Sequence, residues 1–233
     1  MNWTKSAALL RKGVGEPGLA WLFVSLLLFM LSHPVIADRG SLALDILFSA
    51  MLITGAYAVS QQRKVLIIAI VLALPALGFW WGIRIIESAP LVLVGLIFST
   101  MFFLFILVVL LHKVIHSEQA GANIIYAAMS AYLLLGVTWS FFYALVEIVN
   151  PGAFDFGSLT AQAEFGAPHG ELRLFSYYSL VTLSTLGYGD ITPVTPLARS
   201  LSAMEAVTGQ LFIAVLLARL VGLHIAQKQN QKD

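Results

Sequence analysis

The chain has no cysteine among its 233 residues, and charged residues are scarce. The absence of cysteine excludes disulfide bonds and metal sites with thiolate ligands. Charged residues make up 11% of the chain and hydrophobic residues 59%, which is more apolar than the core of a water-soluble domain of this length requires. The composition therefore predicts a polytopic membrane protein.

Signatures of several other functions are also missing. The formal net charge is +1 and there is no long basic run, which argues against nucleic acid as a partner. The chain contains no G-x-S-x-G or H-E-x-x-H motif, and no pair of carboxylates within an apolar run that could serve acid–base chemistry. We therefore expect no enzymatic activity.

The apolar residues fall into six runs, each close to the length that crosses a bilayer. These runs are 19–36, 42–60, 65–86, 90–115, 124–149 and 197–225. Three basic residues precede the first run, so a cleaved signal peptide is the alternative to a resident helix there. We expect an all-α membrane protein with six transmembrane helices.

A region of different composition separates the fifth and sixth runs. A loop rich in Gly, Ala and Pro covers 150–171, and a shorter amphipathic stretch covers 172–185. At ~1.5 Å per residue this stretch is about 20 Å long, too short to cross a hydrocarbon core of ~30 Å. It predicts a helix that enters the membrane and turns back.

Basic residues are distributed unevenly between the two ends of the runs. With a cytoplasmic N-terminus, the inner side carries Lys5, Arg11, Lys12, Arg63, Lys64, Lys113, Lys228 and Lys232, and the outer side Arg39, Arg84, Arg173 and Arg199. This bias favours a multi-pass protein of the cell membrane with both termini in the cytoplasm. The outer side then holds four acids that would concentrate cations, namely Asp155, Glu164, Glu171 and Asp190.

The stretch FSYYSLVTLSTLGYGDITP, residues 175–193, resembles the pore helix and selectivity filter of the tetrameric potassium channels. The family pattern is T-V-G-Y-G-D, and this chain has Leu186 where valine is usual. The resemblance extends from Ala122 to the end of the chain, and six runs are typical of the six-transmembrane bacterial type. In a soluble protein, G-Y-G-D alone would more often be an ordinary turn.

The resemblance implies that the permeant ion is potassium and that the filter consists of Thr185, Leu186, Gly187, Tyr188 and Gly189. In a ring of four subunits, the carbonyls of the first four residues would replace the water shell of the ion. Successive carbonyls can face one side only if the backbone visits left-handed dihedrals, which Gly187 and Gly189 reach without a Cβ penalty. Tyr188 would pack outward and hold the diameter of the ring.

With a filter after the fifth run, the chain divides into four parts. These are a cytoplasmic segment (1–18), a four-helix transmembrane domain (19–116), a pore domain (122–227) and a cytoplasmic tail (228–233). Voltage-gated relatives carry arginine at every third position of the fourth span, but run 90–115 has none. Because a sensor gains ~2.3 kcal/mol per charge per 100 mV, we expect little or no voltage dependence.

Several polar residues near the filter are candidates for its support, namely Thr182, Ser184, Asp190 and Glu205. We expect Asp190 to anchor the mouth of the filter rather than bind ions. Glu205 is a carboxylate well inside the sixth run and therefore a functional candidate. It would either face the ion cavity or, as we favour, face the pore helix and bond to hydroxyls such as those of Ser184, Thr182 or Tyr178.

The sixth run begins after Thr195, a suitable N-cap, with Pro196 in the first turn. Gly209 stands where the resembling channels carry a hinge glycine, although close helix packing would equally explain it. If the family register holds, three residues after it line the cavity, namely Gln210, Ile213 and Leu217.

The first four runs carry few residues with functional chemistry. Asp45, near the start of the second run, is more typical of capping or pairing than of sensing. His112, His116 and His224 lie near the inner ends of the fourth and sixth runs. Such a group could titrate near neutrality or bind a metal, or it could simply lie at the membrane interface.

Together these features predict a homotetrameric, potassium-selective channel that conducts passively and has lipid as its surroundings. We expect no small-molecule substrate other than ions. Two alternatives are a regulatory or silent subunit and a component of a potassium uptake transporter. The resembling transporters have four pore repeats with degenerate filters in one chain, whereas this chain has one repeat with an intact G-Y-G.

Overall fold

The computed structural model describes residues 16–35, 42–83, 85–86, 88–117, 121–157, 159 and 168–230. Within them, seven helices and one two-stranded sheet are formed. The helices are α1 (Glu16–Val35), α2 (Leu42–Ala58), α3 (Arg63–Ile83), α4 (Ala89–His116), α5 (Ala122–Val149), α6 (Pro168–Leu183) and α7 (Pro196–Asn230). The strands are β1 (Phe154–Asp155) and β2 (Thr192–Pro193).

The predominantly helical prediction is confirmed, and four helical segments are long and apolar enough to cross a membrane. They are Arg63–Ile83, Pro90–His116, Ala122–Val149 and Pro196–Gly222. The apolar parts of the first two helices, Gly18–Leu31 and Leu42–Ala58, are shorter. The number of six crossings therefore remains a prediction.

The first four helices pack in sequence order, and α1 and α4 also pack on α5. The core between α2, α3, α4 and α5 contains a run of aromatic side chains. Phe48 of α2 stacks on Trp80 of α3 with ring centroids 4.3 Å apart, and it meets Phe103 of α4 edge-on at 6.0 Å. Phe103 in turn lies 5.4 Å from Phe141 of α5. One apolar cluster thus joins the first four helices to the second half of the chain.

Helix α6 is packed between α5 and α7. It begins four residues earlier than predicted and ends two residues earlier. Its 16 residues span about 24 Å, so it is still too short to cross a hydrocarbon core. The β1–β2 pair, with Phe154 opposite Pro193, joins the loop after α5 to the chain that leaves the TLGYGD stretch. Both ends of that stretch are therefore fixed to the same helical frame.

Helix α7 begins at Pro196, and Thr195 caps it as expected. The Thr195 side-chain oxygen accepts the backbone N–H of Ala198 at 3.3 Å. The helix extends to Asn230, beyond the predicted end of the apolar run at 225. Four of the five added residues are polar, so the helical backbone continues after the apolar pattern stops.

Candidate functional site

The backbone after α6 alternates in handedness. Thr185, Gly187 and Gly189 have φ values of 59°, 60° and 78°, whereas Leu186 and Tyr188 between them do not have positive φ. Two of the three left-handed positions are glycines, as the sequence argument required, because a Cβ disfavours this region. Thr185 is the third and was not foreseen, since a β-branched residue rarely adopts positive φ.

Carbonyl groups at the end of α6 accept hydrogen bonds from the backbone N–H groups of residues 185–187. Leu186 N and Gly187 N both point to the carbonyl of Val181, at 2.9 and 3.4 Å, and Thr185 N bonds to the carbonyl of Thr182 at 2.9 Å. Carbonyls in the last turn of a helix lack intrahelical donors, so these contacts satisfy them. The N–H groups of residues 185–187 are thereby turned toward α6.

The carbonyl groups of residues 185–188 are left open. In the described part of the chain, no backbone or side-chain donor reaches any of these four carbonyls. Residues 184–189 are exposed, and the side chains of Leu186 and Tyr188 are 55% and 65% exposed. The segment thus presents a row of carbonyls without a protein donor, next to apolar side chains that the rest of the chain leaves uncovered.

Asp190 fastens the outer end of the segment to α6. Its carboxylate accepts hydrogen bonds from the hydroxyl of Tyr177 at 2.5 Å and from the backbone N–H of Ile191 at 3.0 Å. Burial raises the pKa of Tyr177 to about 12, and the hydrogen bond and charge of Asp190 add to the shift. The phenol therefore stays protonated at neutral pH and remains a donor.

Glu205 is fully buried and faces α5 and α6. Its Oε2 lies 2.5 Å from the hydroxyl of Tyr143 on α5, and its Oε1 lies 2.5 Å from the hydroxyl of Ser179 on α6. Ser179 also reaches the backbone carbonyl of Gly136 at 2.7 Å. The carboxyl group thus connects all three helices of the second half of the chain.

Glu205 does face the pore helix α6, but its partner there is Ser179 and not one of the hydroxyls that the sequence suggested. Ser184, just after α6, donates to the carbonyl of Leu180 in its last turn, and Tyr178 shares a hydrogen bond of 2.6 Å with Ser202. Ser184 lies five residues after Ser179, about 140° around α6, so it belongs to a different face. Thr182 makes no bond to Glu205 either.

Gly209 and Gln210 bring α7 against the end of α6. A Cβ built on Gly209 would lie 2.2 Å from the carbonyl oxygen of Leu183, so this helix contact requires glycine. Gln210 Nε2 donates to the Thr185 hydroxyl at 3.2 Å. Ile213 and Leu217 are 46% and 62% exposed. The packing explanation for Gly209 has direct support, and its role as a hinge remains a prediction.

The histidines are only partly described. The rings of His112 and His116 stack with centroids 4.1 Å apart, and His116 Nδ1 lies 2.9 Å from the carbonyl of His112. His224 lies in α7, but its side chain is outside the described residues. No group of three metal-ligand side chains occurs in the residues that the structure describes. The grouping of the three histidines therefore remains a prediction.

Two further polar contacts involve the first four helices. Asp45 is fully buried and accepts the indole N–H of Trp80 at 2.9 Å, so it is a pairing residue. Arg219 of α7 donates to the carbonyl of Ser117, the C-cap of α4, at 2.5 Å. No sequence pattern indicates this second contact, because the residues are 102 positions apart.

Comparisons with known proteins support a relationship to the potassium channels. A family described as "Ion channel" matches residues 171–224, which contain most of α6, the TLGYGD stretch and most of α7. The chain is similar to "Two pore potassium channel c" of Oryza sativa subsp. japonica, with 40% identity over 39% of this chain and 17% of that protein.

It is also similar to "Two-pore potassium channel 4" of Arabidopsis thaliana, with 41% identity over 23% of this chain and 19% of the relative. "Inward rectifier potassium channel Kirbac3.1" of Paramagnetospirillum magnetotacticum is 33% identical over 35% of this chain and 29% of that protein. The chain thus spans less than a third of each of these relatives. No solved structure matches it.

Proposed function

We propose that the chain is one subunit of a potassium-selective channel that conducts passively. The observation that carries this proposal is the row of four unpaired carbonyls at residues 185–188, on a backbone of alternating handedness. Alternation turns successive peptide groups to the same side, so their oxygens form a ladder. Such oxygens replace the hydration shell of a potassium ion.

The active assembly in this proposal is a homotetramer in lipid. One chain supplies only one side of each oxygen cage, so several copies must meet around the axis. The exposed side chains of Leu186 and Tyr188 fit this arrangement, since a neighbouring copy would cover them. The C-terminus of α6 ends at the inner end of the ladder, where its partial negative charge favours a cation.

The other predicted residues have roles around this ladder. Asp190, held by Tyr177, would fix its outer mouth, and Gln210, held by Thr185, would lie at its inner end. Ile213 and Leu217 would line the cavity below. In this arrangement the protein is in the cell membrane with both termini in the cytoplasm, and the first four helices surround the pore without acting as a voltage sensor.

The proposal is tested with purified protein in liposomes, where potassium flux should exceed sodium flux and barium should block it. Gly187→Ala places a Cβ at a left-handed position in the filter and should reduce potassium selectivity. Gly152→Ala is the matched control, because Gly152 also has positive φ and open space around it but lies outside the filter. Equal potassium and sodium flux through the unaltered protein would refute the proposal.

A further inference from the structure

The hydroxyl of Ser179 has more acceptors than it can serve. It lies 2.7 Å from the carbonyl oxygen of Gly136 and 2.5 Å from Oε1 of Glu205. A serine hydroxyl has one proton to donate, a backbone carbonyl has none, and an ionised carboxylate has none. If Glu205 were ionised, one of these two close oxygen pairs would have no proton between its atoms.

A proton on Glu205 resolves the shortage. The carboxylic acid then donates from Oε1 to Ser179, and Ser179 donates to Gly136. Oε2 accepts the hydroxyl of Tyr143. Each of these three oxygen–oxygen contacts then contains one proton. A buried polar network is stable when all its contacts are satisfied in this way.

The surroundings of Glu205 also disfavour a charge. The residue is fully buried, and its partners in the described structure are two hydroxyl groups rather than a cation. The titratable side chains facing it are Tyr143 and Tyr132 of α5 and Tyr178 of α6. An unpaired carboxylate among neutral groups carries a large desolvation cost.

We propose that Glu205 is a neutral carboxylic acid and a positioning residue, whose proton ties the pore helix α6 to α5 and α7. Ser179 lies six residues before Thr185, so this tie fixes the helix directly beneath the proposed filter. The role in the filter rests on the proposed function, whereas the protonation does not. Loss of the proton would leave two close oxygens facing each other and loosen α6.

Glu147 has hydrogen-bond partners of a different kind from those of Glu205. Its Oε1 accepts the backbone N–H of Gly152 at 2.7 Å, and its Oε2 accepts that of Phe154 at 3.1 Å. Both partners are obligate donors, so an ionised carboxylate satisfies this site completely. The two glutamates therefore have opposite hydrogen-bond requirements.

Infrared spectra of the purified full-length protein test the protonation. The unaltered protein at neutral pH should show the carbonyl band of a protonated carboxylic acid. This band should be lost in Glu205→Gln and retained in Glu147→Gln, which should lose carboxylate bands instead. Loss of carboxylate bands in Glu205→Gln, with no acid band in the unaltered protein, would overturn the proposal.

A pH profile tests the positioning role. Glutamine can donate to Ser179 and accept from Tyr143, so Glu205→Gln should preserve the thermal midpoint and the potassium-to-sodium flux ratio at neutral pH. As the pH is raised, the thermal midpoint and the potassium-to-sodium flux ratio of the unaltered protein should fall below those of Glu205→Gln, because only the glutamate can lose its proton. Parallel profiles for the two proteins would overturn the positioning role. If neither protein conducts, the proposed function fails, while the infrared result still decides the protonation.

Discussion

At the scale of single residues, glycine has two different uses in this protein. Gly187 and Gly189 are needed for their backbone dihedrals, whereas Gly209 is needed for the space that a side chain would fill. The first use is local and can be inferred from the sequence. The second depends on the position of Leu183, which lies in another helix. Substitutions at these positions should therefore fail for different reasons.

Gly209→Ala should destabilise the protein by about 1–3 kcal/mol, because its Cβ would overlap the backbone of α6, which cannot easily move. Thermal unfolding in detergent would measure the effect. Gly222→Ala is the control on the same helix, since nothing lies within 4 Å of a Cβ built there. Equal unfolding midpoints for the two variants would contradict the packing role.

Tyr177→Phe removes the donor to Asp190 while keeping the ring. A hydrogen bond to a charged group contributes about 1.5–3 kcal/mol, so the outer mouth of the filter should loosen and the potassium-to-sodium flux ratio should fall. Tyr126→Phe is the control, because this exposed residue makes a ring contact with Phe23 and its hydroxyl has no hydrogen bond within the described part of the chain. An unchanged flux ratio in Tyr177→Phe would mean that Asp190 is held by other means.

At the scale of helices, the contact between α7 and the end of α4 joins the two halves of the chain. Arg219 places a cation at the C-terminal end of α4, where carbonyl groups lack intrahelical donors and the helix dipole is negative. His116 lies in the same last turn. We therefore expect movement of this part of α7 to be transmitted to α4.

Arg219→Gln should lower stability by about 1 kcal/mol and change the open probability of the proposed channel, because the link to Ser117 is weakened. Single-channel recording and thermal unfolding would measure the two effects. Arg199→Gln is a matched control, since Arg199 also donates from α7 to a backbone carbonyl, that of Pro193, but at an exposed site. Gating identical to the unaltered protein in Arg219→Gln would exclude the coupling.

At the scale of the whole molecule, the fourth helix lacks what a voltage sensor requires. Helix α4 contains no arginine, and its basic side chains are confined to its C-terminal end. Moving such a helix through the membrane field does almost no electrical work. Helices α2, α3 and α4 share an aromatic core with α5 instead, which suits a scaffold around the proposed pore.

The open probability of the proposed channel should therefore change little with membrane potential. Recordings in symmetric potassium solutions, over the physiological range of potentials, would measure this dependence. A steep conductance curve corresponding to several effective gating charges would contradict the expectation. Such a result would direct attention to Asp45, the buried acid of α2.

The sequence by itself determined the features that arise from neighbouring residues. Apolar runs predicted the helices, Thr195 predicted the start of α7, and the two glycines of TLGYGD predicted left-handed backbone. Each of these depends on side-chain polarity or dihedral freedom within a few residues. The sequence also favoured turning Glu205 toward the pore helix, because helical periodicity separates it from Gln210.

Only the tertiary structure decided which groups meet across helices. Tyr143 and Glu205 are 62 positions apart, and no local pattern indicates that α5 brings that hydroxyl to the carboxyl group. The pairing of Arg219 with Ser117 and the closeness of Gly209 to Leu183 have the same origin. These contacts depend on the rotation and depth of whole helices, which the packing of all side chains sets together.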